Sequence, residues 1–237
     1  MTRKPPFRTL RLVLNRIQNA QVARIGSVRL NTNPADIPRP LRTAIFKGLY
    51  ELPERQLVEA SVRPGDRVLE IGTGLGFISI LCTQRAGEGL VLSYEANPAL
   101  QPAIEGNYRL NGLTPNLKMR AVTVEGQPIS FYQNANVISS SLLDRENDAR
   151  KITVESDPIN GVIAAHRPDV IVMDVEGAEV DLLAAADLTH VRALVVETHE
   201  HIVGADRTAA MIAALAAKGF AVRQTIHKNI LLTRQGA

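Results

Sequence analysis

Four short segments hold residue types that could do chemistry together. The first is Val68-Leu69-Glu70-Ile71-Gly72-Thr73-Gly74-Leu75-Gly76-Phe77. Glycines at Gly72, Gly74 and Gly76 let the backbone turn tightly and approach a ligand closely. Phe77 stands where a dinucleotide fingerprint places its third glycine, so a pyrophosphate at a helix N-terminus is not the expected ligand. Glu70, just ahead of the first glycine, suits a cationic ligand and can attract an amino group directly or through water. The second segment is Tyr94-Glu95-Ala96-Asn97-Pro98. Two carboxylate oxygens on Glu95 can accept both hydroxyls of a ribose. Glu95 therefore points to an adenosyl ligand without choosing among cofactors.

The third segment is Asp174-Val175-Glu176-Gly177-Ala178-Glu179, and the fourth is Glu197-Thr198-His199-Glu200-His201. Three carboxylates so close repel one another unless they face a cation, a hydrogen-bond partner or a proton. Asp174 and Glu176 could bind a substrate hydroxyl, act as general base or hold a divalent cation, or simply form an acidic capping turn. Glu179 falls in the first turn of the next helix, where the dipole favours an acid. His199 or His201 could take a proton from a hydroxyl, and either could equally be an exposed loop histidine. Two histidines beside Glu197 and Glu200 fix no zinc geometry, so no metal ligand is assigned.

These segments must be positioned by regular elements. Short β-branched runs alternate with helical patterns from Arg67 onward. Strands are predicted at Arg67 to Ile71, Leu90 to Tyr94, Leu117 to Val124, Val170 to Met173 and Ala193 to Val196. Helices are predicted at about Leu75 to Arg85, Pro98 to Leu110, Ile159 to His166, Glu179 to Ala186 and Thr208 to Lys218. Phe220 to Thr225 and Asn229 to Thr233 read as a terminal hairpin. Strand-like pieces at Ile129 to Tyr132 and Lys151 to Val154 flank a polar loop, read as an insertion. The pattern implies an α/β fold: a mainly parallel central sheet with helices on both faces and a C-terminal antiparallel hairpin. Ligands in such a sheet sit at the carboxyl ends of the strands, and all four segments end strands. After the third strand, Val122 and Thr123 stand where an adenine ring would be flanked; a core or hairpin role fits them as well.

Composition narrows the classes. The 237 residues suit one α/β domain with a modest extension. Apolar residues make up 45% and aromatics 4%, with no tryptophan, so the core must be aliphatic. The net charge is +3, yet Arg3, Lys4, Arg8, Arg11, Arg16, Arg24 and Arg29 put seven positive charges and no acid in the first thirty residues. Residues 1–42 read as a basic N-terminal extension, with a helical stretch at Leu10 to Ala20 and a Pro-broken loop at Pro34, Pro38 and Pro40. Thr43 to Ala60 reads as an amphipathic helix interrupted at Pro53. A solvated arm is the expectation; an anionic partner such as RNA, with a methyltransferase of RNA or protein, is the rival. One cysteine, Cys82, excludes an internal disulfide and reads as a small buried hydrophobe. No apolar run is long enough to cross a bilayer and no secretory signal is recognisable, so a cytoplasmic location is expected.

The sequence resembles the FkbM family of methyltransferases. The resemblance rests on Leu69 to Phe77, Glu95-Ala96-Asn97-Pro98, Asn107 with Asn111-Gly112-Leu113, Ala121 to Phe131, Ser139-Ser140-Ser141-Leu142, Asp174 to Glu179 and Glu197-Thr198-His199. The Asp-Val-Glu-Gly-Ala-Glu run is its most specific element. The resemblance implies a Rossmann-like class I methyltransferase fold over residues 43–237. It implies S-adenosyl-L-methionine as donor, usually with O-methylation of a hydroxyl on a sugar or natural product. Glu70, Gly72, Gly74, Gly76, Glu95, Ala96, Val122 and Asp174 are then the expected cofactor residues. Asp174 and His199 are the expected catalytic pair, and Glu176, Glu179 and Glu197 the expected substrate residues. A small-molecule acceptor is expected, a homodimer is compatible, and nucleic acid is the less favoured partner. Two positions depart from the family pattern. Glu70 replaces the usual Asp with Thr73 and Gly74 in place of Ala-Asn, and Met173 replaces a Lys before the acidic run, which removes any substrate role carried over for that position.

Overall fold

The computed structural model describes residues 19–133 and 150–236. Most of the predicted helix at Leu10 to Ala20, five of the seven early basic residues, and Ser139 to Leu142 lie outside the described residues. The described residues open with an antiparallel pair, β1 (Val22–Ile25) and β2 (Val28–Asn31), turning at Gly26. Its alternate residues Ala23, Ile25, Val28 and Leu30 are buried in the main core, leaving Arg24 and Arg29 opposite each other on the outer face. The second half of the expected basic arm is therefore a packed hairpin, because period-2 alternation gives it one apolar side.

Two helices follow, α1 (Arg39–Lys47) and α2 (Leu52–Ser61). The single interrupted helix expected over Thr43 to Ala60 is corrected here. The break is at Gly48, a left-handed cap with φ 67°. Pro53 instead lies in the first turn of α2, where its missing N–H costs nothing.

The central sheet is then laid down by alternation. β3 (Val68–Ile71), α3 (Phe77–Ala86), β4 (Val91–Tyr94), α4 (Gln101–Leu110) and the short β5 (Leu117–Lys118) form its first half. The predicted strand from Leu117 to Val124 is split. After β5 the chain leaves the sheet, and β6 (Ala121–Thr123) pairs in parallel with β9 (Ser156–Pro158). Asp157 draws it there, accepting from Arg120 Nε and from the Tyr94 hydroxyl, each at 2.9 Å. Between them β7 (Ile129–Gln133) and β8 (Arg150–Val154) form the antiparallel insertion. The second half comprises α5 (Ile159–His166), β10 (Val170–Met173), α6 (Glu179–Ala185), β11 (Ala193–Glu197), α7 (Glu200–Val203), α8 (Ala205–Ala217), β12 (Phe220–Ile226) and β13 (Asn229–Arg234).

The seven strands lie in the order β12-β13-β11-β10-β3-β4-β5. The run from β11 to β5 is parallel throughout, and β13 lies antiparallel to β11 with β12 outside it. This is the mainly parallel sheet with a C-terminal antiparallel hairpin expected from the alternation, in the Rossmann-like arrangement that the resemblance implies. Side-chain alternation divides the core in two. Val170 and Val172 face one layer with α1 to α4, while Ile171 and Met173 face the other with α5, α6 and α8. β3 and β10 are buried on both sides, which is why they read as continuous apolar runs. Among the described residues no helix is long and apolar enough to cross a membrane.

Candidate active site

The carboxyl ends of β3, β4, β10 and β11 bring the four segments into one cleft. After β3 the three loop glycines all have positive φ, 93° at Gly72, 55° at Gly74 and 80° at Gly76. They serve different ends. A Cβ on Gly72 would stand 1.9 Å from the backbone oxygen of Asp174, so Gly72 lets the loop cross the end of β10. A Cβ on Gly76 would press on Ile104 at 3.2 Å, a matter of packing between α3 and α4. Only Gly74 faces open space, with the Tyr50 hydroxyl 3.8 Å from its would-be Cβ. Gly74 is thus the loop position a ligand can approach closely.

Glu95 closes over this loop. One of its oxygens accepts from the N–H groups of Thr73 at 3.1 Å and Gly74 at 2.9 Å; the other accepts from Asn97 N at 2.8 Å. Burial raises its carboxyl above the ordinary range, against the lowering effect of those N–H groups. Each carboxylate oxygen has two lone-pair directions, so these bonds fill one oxygen and leave at most one direction on the other for a hydroxyl donor. Ala96 follows directly, half-buried at the rim. Glu70 is sealed beneath the loop at 1% exposure, which closes the direct route to a ligand amino group. One oxygen accepts from the Thr73 hydroxyl at 3.0 Å, and the Ser93 and Ser79 hydroxyls also lie against the carboxyl. Burial pushes the Glu70 carboxyl up to about 8. Val122 belongs to the buried layer that also holds Ile71 and Tyr94, so its core role is the one seen and the adenine-flanking role is not.

The acidic run is built around His199. Gly177, with φ 105°, turns the chain against Ile202 and Val203, and Glu176 is itself left-handed at φ 49°. Such a backbone is strained for a residue with a Cβ and is held by its surroundings. Glu179 is fully buried and accepts from Gly177 N at 2.8 Å and His199 N at 2.9 Å. It therefore holds the turn against β11 and cannot reach a substrate, which corrects its expected substrate role. Burial opposes its ionisation, but the bonds from His199 bring its pKa below the ordinary value.

His199 is surrounded by acids. Nδ1 is 3.4 Å from Glu179, and Nε2 is 3.5 Å from Asp174 and 3.4 Å from both Glu176 and Glu197. Burial alone would lower its pKa, yet these carboxylates raise it to about 10. A histidine so held favours the imidazolium form, which disfavours the general-base role expected for it. Asp174 is different: burial, then the charges of Glu197 and Glu51, raise its carboxyl to about 7. It is thereby matched to proton transfer near neutrality. Glu197 goes the other way. Burial opposes ionisation, but His199 and Lys228 hold it down to about 2, and Asn229 Nδ2 donates to it at 3.1 Å. His201 lies outside this cage, exposed on α7 with its ring 5.8 Å from that of His199.

Sequence reasoning missed four residues here. Tyr50 and Glu51 come from the connection between α1 and α2, where Glu51 is left-handed at φ 45°. Burial, then Glu197, pushes Glu51 up to about 7; burial, then Glu51, also raises Glu54. Lys228, in the turn between β12 and β13, forms an ion pair with Glu197. The Gly48 and Pro53 punctuation around Tyr50 and Glu51 was the available signal. The cleft thus gathers carboxylates from five parts of the chain against two cations, His199 and Lys228, and it suits a positively charged guest.

Three known proteins are similar to parts or all of this chain. A ribosomal protein L11 methyltransferase of Bacillus cytotoxicus is 29% identical over 114 residues, 46% of this chain and 36% of that protein. The chain thus spans about a third of that relative's length. A methyltransferase of Pyrococcus furiosus covers 98% of this chain and 99% of its own at 14% identity, with a TM-score of 0.48. The tRNA (uracil-54, C5)-methyltransferase of Pyrococcus abyssi, solved with S-adenosyl-L-homocysteine, is 13% identical over 90% of this chain and 42% of its own, with a TM-score of 0.47. The family model described as "Methyltransferase FkbM domain" matches residues 70–222, from the carboxylate before the glycine loop to the terminal hairpin, and the chain belongs to that family.

Proposed function

We propose that the protein is an S-adenosyl-L-methionine-dependent methyltransferase that methylates a hydroxyl of a sugar or natural-product small molecule. The observation that carries this reading is the acid-rich cleft at the strand ends within the FkbM match, with Gly74 open at its floor. The cleft's residues fit the donor. Gly74 allows close approach of a methionine moiety, Glu95 retains acceptor capacity for a ribose hydroxyl, and Glu70 with Ser93 marks a polar spot beneath the loop. The surrounding carboxylates complement the donor's ammonium and sulfonium charges.

When bound, the donor supplies an already activated methyl group. The chain's own task is alignment, exclusion of water and management of one proton. Asp174, at the end of β10 beside the loop, takes the proton of the acceptor hydroxyl. Glu197 and Glu176 face the same space and hold the acceptor. His199 holds those carboxylates together, and Glu179 positions His199. Tyr50 and Glu51 cover the loop from the other side.

The test is methyl transfer from labelled donor to a panel of hydroxylated small molecules, with calorimetry of S-adenosylhomocysteine. Asp174→Ala is expected to lose at least ~100-fold in turnover while keeping cofactor affinity within a few-fold. Full turnover by Asp174→Ala removes it from the mechanism. A protein acceptor is the second reading, carried by the likeness to a ribosomal protein L11 methyltransferase. Labelling of ribosomal protein with no labelling of the small-molecule panel would establish it instead.

A further inference from the structure

The acidic cage has a centre, and His199 is aimed at it. The imidazole is 0% exposed, and its ring nitrogens meet only carboxylate oxygens 3.4–3.5 Å away, none in good hydrogen-bond geometry. The Asp174 oxygen nearest it, Oδ1, also lacks a hydrogen bond. One donor atom each from Asp174, Glu197 and His199 lie within 4.8 Å of one another. Nε2 stands 3.5 Å from Asp174 Oδ1 and 3.4 Å from both Glu197 Oε1 and Glu176 Oε2. Two donors about 2.1 Å from one small divalent ion stand about 3.0 Å apart at a right angle and about 3.4 Å apart at the tetrahedral angle. The observed gaps are long for hydrogen bonds and match donors that share an ion.

Glu179 completes the pattern from behind the ring. Its Oε1 is held by the His199 backbone N–H at 2.9 Å and faces Nδ1 at 3.4 Å. A carboxylate so placed holds the proton on Nδ1, so that a cation in the cage would replace only the proton on Nε2, the arrangement by which metal-binding histidines are oriented. We propose that Asp174, Glu197 and His199 bind a divalent cation, with Glu179 orienting the histidine and Glu176 at the open side. One imidazole with two or three carboxylates suits an ion between the hardest and the softest, and Mn²⁺ is the natural probe. Lys228 competes for the place, because it pairs with Glu197 Oε1, the oxygen that faces Nε2. Its side chain is 53% exposed and can swing away.

The consequence for catalysis rests on the methyl-transfer reading. A cation beside the acceptor hydroxyl would make its proton easier to remove. Binding itself does not depend on that reading. Mn²⁺ alone is titrated into the full chain, and free Mn²⁺ is followed by electron paramagnetic resonance. One ion per chain is expected. Asp174→Asn and Glu197→Gln should each weaken it at least ~10-fold, and Lys228→Gln should tighten it by freeing Glu197. Spin-echo spectra of the bound ion should show a single imidazole nitrogen. Asp174 is partly exposed, so its variant keeps the test decisive if a His199 variant fails to fold. Absence of binding up to ~1 mM Mn²⁺, or binding indifferent to both carboxylate substitutions, overturns the site. S-adenosylhomocysteine binding in the same preparation separates the two ideas. Cofactor binding without Mn²⁺ binding overturns the cation site alone, while Mn²⁺ binding without cofactor binding supports it and overturns the methyl-transfer reading.

Discussion

Glu70 and His199 are both sealed from solvent, yet they end in opposite charge states for physical reasons. Burial outweighs the hydroxyls of Ser93, Thr73 and Ser79 around Glu70, so its carboxyl rises to about 8 and favours the neutral form at pH 7. His199 is buried too, but four carboxylates around it outweigh desolvation and keep it charged. For Glu70 the sign of the pH dependence follows directly. The unfolded carboxyl releases its proton near 4.5 and the folded one near 8, so unfolding releases a proton between those values. Stability attributable to this group therefore falls as pH rises through that window, by about 1.4 kcal/mol for each tenfold drop in proton concentration, and levels off above it. Glu70→Gln keeps the shape and removes the titration. Urea unfolding at about pH 5 and about pH 9 should show the variant losing clearly less stability than the parent chain. An equal loss in both would mean that Glu70 is ionised in the folded protein.

At the scale of elements, the glycine loop is a junction of strands as much as a ligand site, and its glycines should separate on substitution. A methyl group on Gly72 collides with backbone of β10, which cannot yield as a flexible side chain would. Gly72→Ala is expected to cost at least ~3 kcal/mol, read as a large fall in the thermal midpoint. Gly74→Ala meets only open space and the Tyr50 hydroxyl. It should cost about 1 kcal/mol for its left-handed backbone while weakening S-adenosylhomocysteine measurably in calorimetry. If the two variants melt alike, the crossing of loop and β10 is misplaced. This division was not legible in sequence, where the three glycines look equivalent. What was legible were strands long enough to alternate with helices, and the four acidic or glycine-rich segments at their carboxyl ends. Apolar runs report burial but not the partner, so Leu117 to Val124 read as one strand although the chain bends away at Arg120 toward Asp157. Tyr50, Glu51 and Lys228 escaped because each is carried by a turn, where periodicity says nothing about direction. Glu179 read as a substrate residue because a helix-start acid gives no sign in sequence that it will be buried against a histidine twenty positions away.

At the scale of the whole molecule, the amino-terminal hairpin is wired to the cofactor loop through one buried residue. Asn107 on α4 accepts from Asn31 N at 2.7 Å through its side-chain oxygen, and its side-chain amide donates to Leu75 O at 2.8 Å. The first bond ends β2 and the second fixes the loop between Gly74 and Gly76, so the hairpin and the loop share a support. Asn111 repeats the tie one turn later, exchanging bonds with the backbone N–H and carbonyl of Arg29 at 2.9 Å and 2.8 Å. Burial of Ile25, Val28 and Leu30 holds the hairpin in the same layer as α3 and α4. Removing the hairpin should therefore be felt at a site it does not touch. Leu30→Ala is expected to cost about 2–5 kcal/mol, as for other fully buried leucines. Asn107→Leu keeps the volume but leaves Asn31 N and Leu75 O unpaired, at a cost of about 1–3 kcal/mol for each buried group. It should also weaken S-adenosylhomocysteine, whereas Leu30→Ala, assayed well below its melting temperature, should bind nearly as the parent does. Calorimetry of the two variants at matched folded fraction decides between a support that shapes the loop and one that only adds stability. Equal affinity in both would leave the hairpin as packing alone.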